Sequence, residues 1–250
     1  MESLQKKARA LLEAAAVQVV IGYTAGSDAE RARPLFARFP EQAQQLIYDA
    51  RCRQNLATYL LKAEVKALGK AAVVARPATL RTILQYAVEN RLVDEAVLVL
   101  AVSDTGEIAE LASFAAIEEY LAKLPRGLTA KEEQEIARLT GMPLEQRWDF
   151  WHAELERCIK CYACRAACPL CYCTRCITDA NQPQWLPVAS SPLGNLEWNV
   201  VRAMHLAGRC INCGSCADAC PAGIRIDLLN HVLAHEAQAQ FGAEPGYSTR

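Results

Sequence analysis

The pattern C-x2-C-x2-C-x3-C-P occurs twice, as Cys158, Cys161, Cys164, Cys168, Pro169 and as Cys210, Cys213, Cys216, Cys220, Pro221. Three thiols two residues apart can wrap a short loop around one 4Fe-4S cubane. The fourth, on the helix that follows, points at the other cluster of a two-cluster pair. The spacing therefore predicts interleaved ligand sets: Cys158, Cys161, Cys164 and Cys220 for one cluster, and Cys210, Cys213, Cys216 and Cys168 for the second. Each proline stops the chain from continuing the preceding helix.

Twelve cysteines could also build a disulfide framework or zinc knuckles. Disulfides need an oxidising compartment, and residues 1–7 (MESLQKK) lead into Ala-rich sequence without the apolar core of a signal peptide. A cytoplasmic, anaerobic setting is the expectation. Structural zinc prefers two well-separated CxxC pairs and has no use for a third cysteine two residues on.

A net charge of −1 without long runs of one sign gives no reason to expect nucleic acid or an anionic membrane surface as partner. The apolar run Ala14 to Tyr23, broken by Gln18, is too short to span a bilayer, so no membrane span is expected. Eleven of the twelve cysteines lie after residue 157, which separates a metal-free N-terminal part from a metal-built C-terminal part. We expect an α+β chain: an α/β domain over residues 1–124 with a mostly parallel sheet, a helical linker over 125–157, and a helix-rich, ferredoxin-like two-cluster domain over 158–250.

The N-terminal part alternates apolar strands with amphipathic helices. Leu4, Ala8, Leu11 and Leu12 recur at helical spacing; VQVVIGY (17–23), AAVVA (71–75) and AVLVLAV (96–102) read as buried strands. RPLFA (33–37) reads as an edge strand because of its proline. Helices are expected over 41–50, 54–68, 79–90 and 108–121. Ligands of such sheets sit beyond the carboxyl ends of the strands, here the loops 22–28, 76–78 and 103–106. Gly22 and Gly26 do not form GxGxxG and no Gly-Lys-Ser/Thr follows, so a structural or docking sheet is the first reading and a nucleotide site the second.

Thr129 and Glu132 form a capping box for a helix to about residue 140, and Pro143 opens a helix to residue 157 carrying Trp148, Phe150 and Trp151, read as packing. Arg157, Lys160, Arg165 and Arg175 surround the first motif without any acidic residue; Arg202 and Arg209 precede the second. Cations stabilise the reduced state of an anionic cluster and raise its potential. Helices are also expected over 196–207, with Trp198, Val201, Met204 and Leu206, and from residue 224 to about 240. An irregular tail follows.

Cys171, Cys173 and Cys176 remain outside the two ligand sets. Three thiols within six residues could supply a third cluster or a zinc site, or replace an assigned ligand; the other reading is that they are buried thiols packed against the clusters. Cys52 reads as structural.

The run CIKCYACRAACPLCYCTRC, from Cys158 to Cys176, resembles the cluster region of the beta subunits of coenzyme F420-dependent formate dehydrogenases and hydrogenases, extra cysteines included. VIGY (20–23), RQNLATYLL (53–61) and the strand-helix unit over 71–90 are similar more loosely. The resemblance implies an electron-transfer subunit beside a formate dehydrogenase, hydrogenase or heterodisulfide-reductase-like complex, and its full-length members carry FAD and reduce a deazaflavin. The leading expectation is a relay of single electrons between partner subunits, with no catalytic acid, base or nucleophile. The alternatives are a flavin-containing reductase subunit, with FAD at the strand ends, and a zinc-binding or redox-responsive regulator using Cys171, Cys173 and Cys176.

Overall fold

A computed structural model describes residues 2–103, 105–178 and 182–249. The chain forms two compact units: Met1–Pro125 with Gly246–Arg250, and Arg126–Pro245.

The first unit is built on a five-stranded sheet of order β2-β1-β3-β4-β5, with β1 Val19–Ala25, β2 Ala32–Ala37, β3 Ala71–Ala75, β4 Val97–Val102 and β5 Ile108–Leu111. The sheet is mixed rather than mostly parallel. Strands β1, β3 and β4 run parallel, with Val20 opposite Ala72 and Ala72 opposite Leu98. Both edges are antiparallel: Tyr23 faces Pro34 in β2, and Leu100 faces Glu110 in β5. The reason is local. Antiparallel neighbours can be joined by a tight turn, whereas parallel ones need a long crossover. Only a short turn separates β4 from β5, closed by Ser103 N donating to Glu107 O and Gly106 N to Ser103 O.

The central strands are apolar on both faces, and β3 and β4 are buried along their whole length. Pro34, which has no N–H to donate, stands on an edge strand. Helix α1 (Glu2–Glu13) buries Leu4, Ala8 and Leu11, and the covering helices α3 (Pro77–Val88) and α4 (Phe114–Ala122) are also present.

Three helix expectations are corrected. Residues 108–111 form β5, and α4 begins only after Ser113, whose Oγ accepts from Ala116 N. Residues 41–50 hold only a 3-10 turn, Pro40–Gln45, after which Ile47 bridges to Tyr23. The stretch 54–68 holds a second 3-10 turn, Leu56–Tyr59, and a single helical turn, α2 (Ala63–Lys66). Asn55 explains the break: its Oδ1 accepts from Ala57 N, and its Nδ2 donates to Thr82 Oγ1 and Ala78 O on α3. Residues 246–249 belong to this unit, with Arg81 over the Tyr247 ring at 4.2 Å and Thr249 N and Oγ1 donating to Glu118.

The second unit is helical: α5 (Ala130–Thr140), α6 (Leu144–Glu156), α7 (Ala163–Ala167), α8 (Pro192–Met204), α9 (Ser215–Asp218) and α10 (Ile226–Phe241). Thr129 and Glu132 make the reciprocal capping box of α5. Arg225 clamps the α5 residue Glu135 and its own neighbour Asp227, and its N–H donates to Glu154 of α6. Helix α8 starts earlier than its expected residue 196 because Ser191 caps it, its Oγ accepting from Gly194 N. Its buried face is Asn195, Trp198, Asn199, Arg202 and Ala203, while Met204 is exposed. Trp148, expected to pack, is 56% exposed. Among the described residues, no helix is long and apolar enough to cross a membrane.

Candidate metal centre

The two cysteine motifs fold as structural repeats. In the first, Lys160 and Tyr162 have φ of 50° and 59°; in the second, Asn212 and Gly214 have φ of 57° and 72°. These left-handed residues occupy matching positions in each C-x2-C-x2-C loop and coil it into a cup. Short helices follow, α7 with Cys164 in it and Cys168 at its end, and α9 with Cys216 in it and Cys220 two residues beyond. Helices α7 and α9 pack against each other.

Two cavities result. The first is lined by Cys158, Cys161, Cys164 and Cys220, with Trp198, Asn199 and Ile226 among its apolar and polar walls. The second is lined by Cys168, Cys210, Cys213 and Cys216, with Leu206, Asp227, Asn230 and His231. Each cavity thus gathers three cysteines from one motif and one from the other. Cys168 follows Cys164 by four positions, and Cys220 follows Cys216 by four, roughly one helical turn with a rise of about 6 Å.

The thiol sets fit 4Fe-4S clusters in their donor chemistry. All twelve cysteines are free, so no disulfide competes. Burial pushes the Cys164 thiol up to about 11 and the Cys216 thiol well above its ordinary value. A metal centre reverses such a penalty, because its positive charge holds the bound sulfur as thiolate. Among the described residues, no three Cys, His, Asp or Glu side chains close on a point where one ion would sit. A cubane has no such need, since each thiolate binds a different iron.

Backbone and side-chain donors reach the sulfurs. Lys160 N donates to Cys158 Sγ, Asn212 N to Cys210 Sγ and Ile224 N to Cys220 Sγ, each at 3.4 Å. Asn230 Nδ2 lies 3.7 Å from Cys216 Sγ. His231, 2% exposed, has both ring nitrogens without a hydrogen-bond partner among the described residues. Asn195 braces the first loop, its Nδ2 donating to Cys158 O at 2.6 Å and Glu156 O at 3.3 Å.

The basic residues divide by environment. Lys160 is buried and its Nζ donates to Pro187 O; Arg202 is buried and its Nη2 donates to Cys164 O at 3.1 Å. Arg157 is tied to both Glu154 oxygens at 2.7 Å, Arg209 to Tyr172 Oη at 3.0 Å, and Arg165 to Cys173 O at 3.2 Å. Arg175 is exposed.

The three extra cysteines have separate surroundings. The Cys171 sulfur pairs with that of Cys168, which holds Cys171 below the ordinary thiol range and Cys168 above it. Cys173 is exposed, and Cys176 Sγ lies 2.7 Å from Thr178 Oγ1. Cys52 is buried in the first unit, its Sγ accepting from Asp49 N. Sequence reasoning missed the roles of Asn195, Asn199, Asn230 and His231. Their signal was polar residues recurring at helical spacing, Asn195 and Asn199 on α8 and Asp227, Asn230 and His231 on α10.

Residues 154–224 match the family model of the 4Fe-4S dicluster domain. The second unit therefore carries an iron-sulfur domain. Over 131 residues, 52% of its length, the chain is 32% identical to the F420-dependent formate dehydrogenase subunit beta of Methanocaldococcus jannaschii. It is 30% identical over 131 residues, 49% of its length, to the F420-dependent formate dehydrogenase 1 subunit beta of Methanococcus maripaludis. The matches cover 32% and 33% of those relatives, so the chain spans about a third of their length.

Proposed function

We propose that this chain is an iron-sulfur electron-transfer subunit of a formate-dehydrogenase-like oxidoreductase, holding two 4Fe-4S clusters in the interleaved sets Cys158, Cys161, Cys164, Cys220 and Cys210, Cys213, Cys216, Cys168. The observation that carries the reading is the pair of cavities, each lined by four cysteines drawn three-to-one from the two motifs. The likeness to beta subunits named for F420-dependent formate dehydrogenase supports the choice of complex.

Bound clusters would supply one-electron transfer. The chain's own residues hold and tune them. The eight thiolates bind; the N–H groups of Lys160, Asn212 and Ile224 stabilise sulfur charge; Trp198, Leu206 and Ile226 exclude water. No side chain is required to move a proton. Cys161 is exposed and Ile159, which lines the same cavity, is 63% exposed, so the first set forms the edge presented to a redox partner subunit. Such a partner would be a formate dehydrogenase, hydrogenase or heterodisulfide-reductase-like subunit. Cys171, Cys173 and Cys176 stay outside both sets, and the sheet of the first unit serves docking rather than flavin binding.

Anaerobic purification followed by assay of iron, acid-labile sulfide, zinc and flavin tests this. About eight irons and eight sulfides without flavin fit the relay. Stoichiometric flavin would replace it with a flavin-containing reductase subunit, and zinc that survives iron-sulfide reconstitution would overturn the cluster assignment.

A further inference from the structure

The buried face of α8 and the turn that follows it run from one cavity to the other. Trp198 and Asn199 line the first, and Leu206, one turn beyond Arg202, lines the second. Arg202 occupies the turn between them and is 2% exposed. Its Nη2 holds the carbonyl of Cys164, a thiol of the first set, and its guanidinium lies 5.9 Å from the Trp198 ring centroid. Its Nε and Nη1 are buried with no hydrogen-bond partner, and no carboxylate pairs with it among the described residues.

A guanidinium buried without a carboxylate is costly unless other negative charge compensates it. Cys171, outside both sets and hydrogen-bonded to the guanidinium, is the strongest sulfur neighbour of Arg202; Cys168 of the second set, Cys164 of the first and Cys216 of the second follow. Arginine keeps its charge throughout the working pH range.

Resting on the two-cluster reading above, we propose that Arg202 is the shared counter-charge of both clusters, a single fixed cation that raises the reduction potential of each. Reduction at either site takes one electron from the donor subunit, adds one unit of negative charge beside the guanidinium and moves no proton. A positive charge at this range favours that reduced state, and the dry surroundings leave it little screened. Lys160 lines the first cavity alone, so its effect is confined to one cluster.

The test is an EPR-monitored redox titration of the reconstituted full chain, with dithionite as reductant, for wild type, Arg202→Gln, Arg202→Lys and Lys160→Gln. Arg202→Gln is expected to move both midpoint potentials negative at unchanged iron content, Arg202→Lys to move them less, and Lys160→Gln to move one. A shift of one midpoint or none in Arg202→Gln, with iron intact, overturns the shared role. If Arg202→Gln fails to hold iron, the comparison with Arg202→Lys decides: retention in the lysine variant supports a requirement for charge, and equal loss means the guanidinium is only a structural brace. A wild-type chain that takes up no iron and sulfide would instead reject the cluster reading itself.

Discussion

Lys160 and Asn212 stand in the same relation to their motifs: each adopts a left-handed backbone, and each donates its N–H to the cysteine sulfur two residues earlier at 3.4 Å. The two loops are one device used twice. The amide aimed at the sulfur is available only because the residue carrying it accepts a positive φ.

That geometry sets the effect of substitution at residue 212. A β-branched residue meets a steric penalty in the left-handed region of about 1–2 kcal/mol. Asn212→Val should destabilise the reconstituted protein by about that amount, whereas Asn212→Gly should be near neutral. Denaturant melts of both variants, followed by loss of cluster absorbance, check the difference.

Asn195 is buried, and its amide holds the carbonyls of Cys158 and Glu156, where α6 delivers the chain into the first loop. Asn195→Ala leaves both carbonyls without that donor, at a cost of about 1–3 kcal/mol. The first cluster should then be lost to a chelator faster than in wild type while the second is retained, as read by iron release against time.

Cys52 and Cys173 should differ in reactivity. Cys52 is 1% exposed and burial raises its pKa; Cys173 is exposed. Alkylation of the folded holoprotein at pH 8 should label Cys173 and spare Cys52, as peptide mass spectrometry would show. Because the folded thiol is the weaker acid, the stability tied to Cys52 is complete below the ordinary thiol pKa. It is lost as pH rises, while the unfolded chain ionises first.

How much of this could be read from the residues depended on whether the signal was local. Cysteine spacing is local, and so are the capping box of Thr129 and Glu132 and the proline that keeps β2 at an edge. The four residues of β5 were not legible, since IAEL suits the first turn of a helix as well as a strand. The helix expected over 54–68 failed for a tertiary reason: Asn55 spends its side chain on Ala57, Ala78 and Thr82 instead of leaving the segment free to coil. Arg202 was legible as a cation near a motif but not as a buried one, because its burial depends on α6 and α10 packing on α8 and on the Cys164 carbonyl that α7 offers it.

The central claim is that the ligand sets interleave, and two double variants test it most directly. Cys158→Ser/Cys220→Ser removes two thiols from one set, and Cys210→Ser/Cys220→Ser removes one from each. After anaerobic reconstitution the account predicts about four irons and one EPR-active cluster in the first, and little of either in the second. The reverse result, with the second variant keeping a cluster and the first losing both, would mean that each motif binds its own cluster and would contradict the account.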